Sequence, residues 1–181
     1  MWQHTVAILI GGQSKRMGSP KHRVKLSNGR TMLEMMLLFA NSFANHTVIL
    51  GGDIEGQHCI HDLRKQLGPV GGIEALLHSN IDTNYLVVGC DMPAISEKEI
   101  QPLLNSTNNA VFSFGNRLIG LPLRINNAAR ATCTAYLDSG GRSIKGLVSE
   151  IPHETIVLTE DQSITLQSVN CREDLDSLTF E

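Results

Sequence analysis

Residues 7–21 read AILIGGQSKRMGSPK. A short apolar run ends in Gly11 and Gly12, and Lys15, Arg16 and Lys21 follow at once. Adjacent glycines let a backbone approach a ligand closely, and their amides form a concavity suited to an anion. Arg16 offers a planar fork for phosphate oxygens. Lys21 offers a point charge where negative charge builds up in a reaction. These are the parts of a phosphate site, but of neither common phosphate loop. A dinucleotide fingerprint needs G-x-G-x-x-G and a P-loop needs G-x-x-x-x-G-K-[ST]. Here five residues separate Gly12 from Gly18, and Ser19 and Pro20 come next. What remains is G-G-x-S-x-R-M-G-x-P-K.

A phosphate site of this kind also needs a partner carboxylate. Asp91 closes the apolar run YLVVGCD, and an unpartnered carboxylate at a buried strand end is costly. Magnesium takes one or two carboxylates and completes its shell with phosphate oxygens and water, which makes Asp91 the candidate metal ligand. The charge distribution points the same way. No acidic residue precedes Glu34, so the opening segment carries +6 and the rest of the chain −9, for a net −3. That total makes no general case for nucleic acid or a membrane surface as partner. No Ser-His-Asp or Cys-His arrangement stands out. Cys59, Cys90, Cys133 and Cys171 are scattered without paired spacing, which predicts reduced thiols rather than a disulfide frame or a zinc site. The HCIH run at 58–61 lacks a second ligand pair and reads as loop or amphipathic surface.

These residues must be positioned by a scaffold, and the 181-residue chain is long enough for one good core. It shows no repeat, linker or low-complexity tract, so a single domain is expected over 1–181. No apolar run reaches the roughly 18 residues of a membrane span, and no secretory leader is evident. Strands and helices alternate. HTVAILI, HTVILGG and YLVVGCD read as buried strands, NAVFSF and LIGLPLRI as two more, and TIVLT and TLQSV as late ones. Pro122 predicts an edge position or a bend. TMLEMMLLFANSFAN, GPVGGIEALLHS, the segment opened by the SEKE capping box, NNAARATCTAYLDSGG and REDLDSL read as helices. The pattern predicts an α/β protein, a three-layer αβα sandwich on a mostly parallel sheet. Ligands in such sheets bind beyond the carboxyl ends of the strands, where Gly11, Gly12 and Asp91 fall.

Five blocks together resemble one family. LIGGQSKRMGSPK is similar to the signature loop of the nucleotidyltransferases related to molybdenum cofactor guanylyltransferase. LGPVGGI resembles their second glycine loop, VVGCDMP their metal-binding strand end, AYLDSGGRSIKGLV their late helix and Arg-bearing turn, and SVNCREDL their closing motif. The resemblance implies the Rossmann-like nucleotidyltransferase fold. It implies that Leu9, Ile10 and Gly11 line the base with backbone atoms, with Gly12 beside them. It places Lys21 on the triphosphate, and Asp62 and Asp91 in contact with the nucleotide. Asn170 falls near the metal or acceptor, and Arg142 meets the acceptor's anion.

The activity so implied is Mg²⁺-dependent transfer of GMP from GTP to the phosphate of molybdopterin, with pyrophosphate released. Cofactor-delivery or acceptor proteins are the implied partners and the cytoplasm the implied location. The chain departs from the usual pattern at Pro20, where an acid often stands, at Gly51 and at Leu121. All three touch nucleotide or acceptor choice. A CTP-using molybdopterin or sugar-phosphate relative, and a nucleotide-binding module without catalysis, therefore stand as alternatives.

Overall fold

The computed structural model describes residues 2–11, 20–169, 171 and 174–175. Seven strands form one sheet: β1 (Trp2–Leu9), β2 (Ala44–Leu50), β3 (Cys59–Ile60), β4 (Asn84–Gly89), β5 (Ala110–Phe114), β6 (Arg117–Asn126) and β7 (Glu154–Val157). The α-helices named among the described residues are α1 (Met32–Asn41), α2 (Pro69–Ser79), α3 (Glu97–Asn105), α4 (Arg130–Asp138), α5 (Ile144–Glu150) and α6 (Glu160–Thr165). The strand order is β3-β2-β1-β4-β6-β5-β7. Every pairing is parallel except those of β6, which runs against both β4 and β5.

Alternation along the strands divides the core in two. Val6, Ile8 and Ile10, with Leu86, Val88 and Cys90, face α1 and α3 through Met36, Ala40, Ile100 and Leu103. Ala7, Leu9, Tyr85 and Val87 face the other way, onto Ile73, Leu76 and Leu77 of α2, Cys133 and Leu137 of α4, and Leu147 and Val148 of α5. The period of two that puts neighbours on opposite faces thus builds both apolar layers of the expected sandwich. Full burial of a side chain such as Ile8 or Leu86 contributes about 1.5–3 kcal/mol.

The chain leaves β1 toward β2 and β3 on one side and returns to β4 on the other. The sheet therefore has its topological switch point between β1 and β4, and a crevice opens outside their carboxyl ends. Cys90 N donates to Leu9 O at 2.9 Å, which carries the pairing one residue beyond β4. The segments after Leu9 and after Gly89 are thereby held side by side.

Four expectations change. The first helix stops at Asn41, because Ala44 and Asn45 already belong to β2. TLQSV is not a strand: Thr159 and Gln162 form a capping box that draws residues 160–165 into α6, and 166–169 follow without regular structure. Pro122 lies in an interior strand rather than at an edge. It sits where the β5–β6 register jumps from Val111↔Leu123 to Phe112↔Ile119, and the Leu121–Pro122 peptide is cis. A bulge there frees the strand from needing the missing proline N–H. Helix α5 was not foreseen, since GGRSIKG carries more turn signals than helical ones. Of REDLDSL, only Asp174 and Leu175 are described, both helical.

Candidate active site

Beyond the ends of β1 and β2, and against the start of α2, lies a cavity of about 200 Å³, lined by Leu9, Gly11, Gly51, Asp62, Gly68, Pro69 and Gly72. Its narrow end is made of backbone. Gly51 has φ +86, and a Cβ there would stand 3.2 Å from Gly11 N, so the approach of the β1 and β2 ends requires glycine at position 51. Gly68, at φ +66, turns the chain into α2, and Pro69 opens that helix. Proline suits the first helical turn, because its missing N–H would be unpaired there. Leu9 and Gly11 both line the cavity. Ile10 is pinned beside them by its N–H on Leu50 O at 3.0 Å.

At the neighbouring strand end, Lys21 Nζ lies 2.7 Å from Asp91 Oδ2. Both side chains are about one-fifth exposed, at 19% and 22%. Pro20 explains part of this placement. With φ −55 it enters the 3₁₀ turn Lys21–Arg23, in which Arg23 N donates to Pro20 O and Val24 N to Lys21 O. One of the three departures from the resembled pattern, Pro20, thus precedes the turn that carries the lysine. Gly89 keeps room for the carboxylate, since a Cβ there would meet Asp91 Oδ1 at 2.5 Å.

The far end of the chain reaches the same place. Val169 N donates to Asp91 O at 2.7 Å. Val169 also packs with Leu26 and Met32, and with the partly buried Val24, Met35 and Leu175, in a small third cluster. That cluster ties the Lys21 segment, the start of α1 and the C-terminal segment together. Gly12, Arg16 and Asn170 lie outside the described residues.

Asp62 follows β3 and faces the start of α2: a Cβ on Gly71 would stand 3.4 Å from its Oδ2, and one on Gly72 3.6 Å from its Oδ1. Burial raises its carboxyl above the ordinary range, the charge of Glu74 raises it further, and His61 opposes both. Two residues on, Arg64 forks onto the buried Glu74 through Nε (3.1 Å to Oε2) and Nη2 (2.5 Å to Oε1). Its Nη1 reaches Asp138 of α4 at 2.5 Å. No sequence signal marks these partners, 10 and 74 positions away.

Arg142 donates from Nη1 to Leu137 O at 2.8 Å and also to Gly141 O. Its guanidinium thus caps the end of α4, while its own carbonyl lies near Gly68. Cys90 is buried beside Asp91, and burial together with that charge pushes its thiol up to about 12, which fits the reading of a small core residue. Among the described residues, no cluster of three or more His, Cys, Asp or Glu could hold a metal. Of the HCIH run, read as loop or amphipathic surface, Cys59 and Ile60 form the short strand β3. No described helix is long and apolar enough to cross a membrane.

The glycine-walled cavity beyond β1 and β2 and the Lys21–Asp91 pair beyond β4 thus lie at neighbouring strand ends of one seven-stranded, mostly parallel α/β sheet. Residues 6–154 match the family model described as the MobA-like NTP transferase domain, and the chain belongs to that family. It is 28% identical over 181 residues to a molybdenum cofactor guanylyltransferase of Xanthomonas euvesicatoria, covering 98% of this chain and 95% of that protein. A probable molybdenum cofactor guanylyltransferase of Flavobacterium johnsoniae is 27% identical, with 97% and 96% covered. The fold is that of a solved Archaeoglobus fulgidus protein titled molybdopterin-guanine dinucleotide biosynthesis protein A, at a TM-score of 0.79, 21% identity and 95% coverage of both chains.

Proposed function

We propose that this protein transfers GMP from GTP to the phosphate of molybdopterin. An oxygen of the acceptor phosphate attacks the α-phosphorus, a new P–O bond forms, the bond to the β-phosphate bridge breaks, and pyrophosphate leaves. Both reactants are anions, so the protein's work is to position them and offset their charge. The observation that carries this reading is the Lys21–Asp91 pair, which follows β4, the strand beside β1, whose own end lines the glycine-walled cavity through Leu9 and Gly11. It is supported by relatives named for the activity that align along nearly the whole chain.

In this reading the backbone of Leu9, Ile10, Gly11 and Gly12 lines the base, and Asp62 contacts the nucleotide. Arg16 and Lys21 bind the triphosphate, and Lys21 stabilises the charge that develops on the departing phosphate. Asn170 and Arg142 serve the acceptor side. The donor set fits Mg²⁺, because a single strand-end carboxylate is what that ion asks of a protein when phosphates supply its other ligands. Asp91 would hold it, and when bound it supplies further neutralisation of the phosphate oxygens. The work is placed in the cytoplasm, with cofactor-delivery or acceptor proteins as partners.

The test incubates the protein with Mg²⁺ and molybdopterin, or its molybdate-loaded form, and with GTP, CTP, ATP or UTP in turn. Pyrophosphate and the nucleotide–pterin product are measured. Release with GTP is the expected result. Release with CTP alone overturns the guanylyl assignment, and nucleotide binding without release for any pair overturns the enzyme.

A further inference from the structure

Asp62 borders the cavity, yet among the described residues nothing holds its carboxylate by a hydrogen bond. Its orientation must come from residues 61–68, the segment that carries it, and that segment buries little of itself. Leu63 is 59% exposed, Lys65 and Gln66 are exposed, and Gln66 has φ +63. Leu67 packs only partly against the core. Arg64 is the strong anchor. Its fork meets Glu74, which is 3% exposed and lies two residues past Gly72, in the helix whose glycines face Asp62. A bidentate guanidinium–carboxylate pair fixes direction as well as distance. The remaining donor, on Asp138, extends the clamp to α4 but touches neither Asp62 nor the cavity wall.

We propose that Arg64 is a positioning residue for the nucleotide pocket, holding Asp62 against Gly71 and Gly72 through its clamp on Glu74. The inference rests on the reading of this cavity as the nucleotide site. The role is geometric, so it acts on nucleotide binding rather than on the Lys21–Asp91 chemistry. Lysine cannot replace it, because an ammonium lacks the planar fork.

The test measures KM, kcat and Tm in the full chain, with whichever nucleotide the wild-type protein turns over. Arg64→Ala is expected to raise the nucleotide KM by about tenfold with kcat within about twofold, the scale of a displaced binding group. Arg64→Lys falls between the two, and Asp138→Asn leaves KM near wild type because the fork onto Glu74 survives. A double-mutant cycle separates positioning from mere stabilisation: on an Asp62→Ala background, Arg64→Ala should move KM by less than about twofold. Additive effects, or a fall in Tm with KM unchanged, overturn the proposal. Should Arg64→Ala not fold, Arg64→Lys carries the same cycle. A wild-type protein that turns over no nucleotide refutes the reading of the pocket itself, and this inference with it.

Discussion

Lys21 and Asp91 meet at 2.7 Å across seventy positions of sequence. The pair is only about one-fifth exposed, and the cost of desolvating two charges offsets much of their attraction, so it is weakly explained as a staple. In the proposed reaction it is a charge pair beside the bound phosphates. Lys21→Ala is therefore expected to leave Tm within a few degrees while lowering kcat by about a hundredfold or more, the scale of losing one transition-state donor. Pyrophosphate release at saturating GTP measures it, and near-normal kcat removes Lys21 from the chemistry.

Asp91→Asn keeps the shape of the side chain but removes the charge that would attract a divalent cation. Its activity should fall with that of Lys21→Ala, and the residual rate should no longer respond to Mg²⁺. Titrating Mg²⁺ from zero into both proteins checks this. A variant still stimulated by the ion would move the metal site to another residue.

What could be read from the sequence follows the reach of each signal. The strands of the switch point were legible because apolar runs bounded by glycines are local. Lys21 and Asp91 were legible because each stands at a fixed offset from such a run. Their contact was only implied, through the rule that ligands gather beyond the carboxyl ends of strands. TLQSV misled because its apolar residues, Leu166 and Val169, are buried by tertiary packing, while the capping box upstream decides the local structure. Of the two readings of Pro122, an edge position or a bend, the bend holds: a bulge, which only the partner strand reveals, makes room for it in an interior strand. Arg64 and Glu74 were invisible for a related reason: an ion pair that closes a loop on a helix leaves no periodic trace.

The close approach of Gly11 and Gly51 sets a limit on substitution. Gly51→Ala must hold a left-handed φ, at about 1–2 kcal/mol, and its Cβ must also displace Gly11 N, which would lie only 3.2 Å away. A drop in Tm is expected together with a rise in the nucleotide KM, since both backbones line the cavity. Thermal melts and steady-state kinetics on the same preparation test the pairing. Lost stability with KM unchanged would show that the β1 and β2 ends do not touch the nucleotide.

Asp62 links the pocket to pH. Burial and the nearby Glu74 raise its carboxyl above the ordinary 3.8, so the folded protein holds this proton more tightly than the unfolded chain does. Well below 3.8 both states are protonated and the group contributes nothing. Above the raised folded value the ionised carboxylate destabilises the fold. Asp62→Asn should therefore raise Tm at pH 7, with the gain shrinking as pH falls through the raised value toward 4, while the nucleotide KM rises. Paired melts of the two proteins between pH 7 and pH 4 decide it. A gain that stays constant across that range would mean that ionisation is not its source.

The C-terminal segment offers the sharpest separation of backbone from side chain. Val169 supplies two things: an N–H to Asp91 O at 2.7 Å, and a side chain packed on Leu26 and Met32. Val169→Pro removes the donor, since proline has none. Val169→Ala keeps the donor and removes only methyl groups. If the hydrogen bond orients Asp91, the proline variant loses kcat by about tenfold, in keeping with a small misplacement of a reacting group. The alanine variant keeps its kcat and loses about 1 kcal/mol or more of stability, the order expected for deleted buried methyls. Denaturant titrations and kcat at saturating substrate, run on both, read the two effects separately. Equal kcat in the two variants would reduce the segment to a packing element and leave Asp91 oriented by β4 and Lys21 alone.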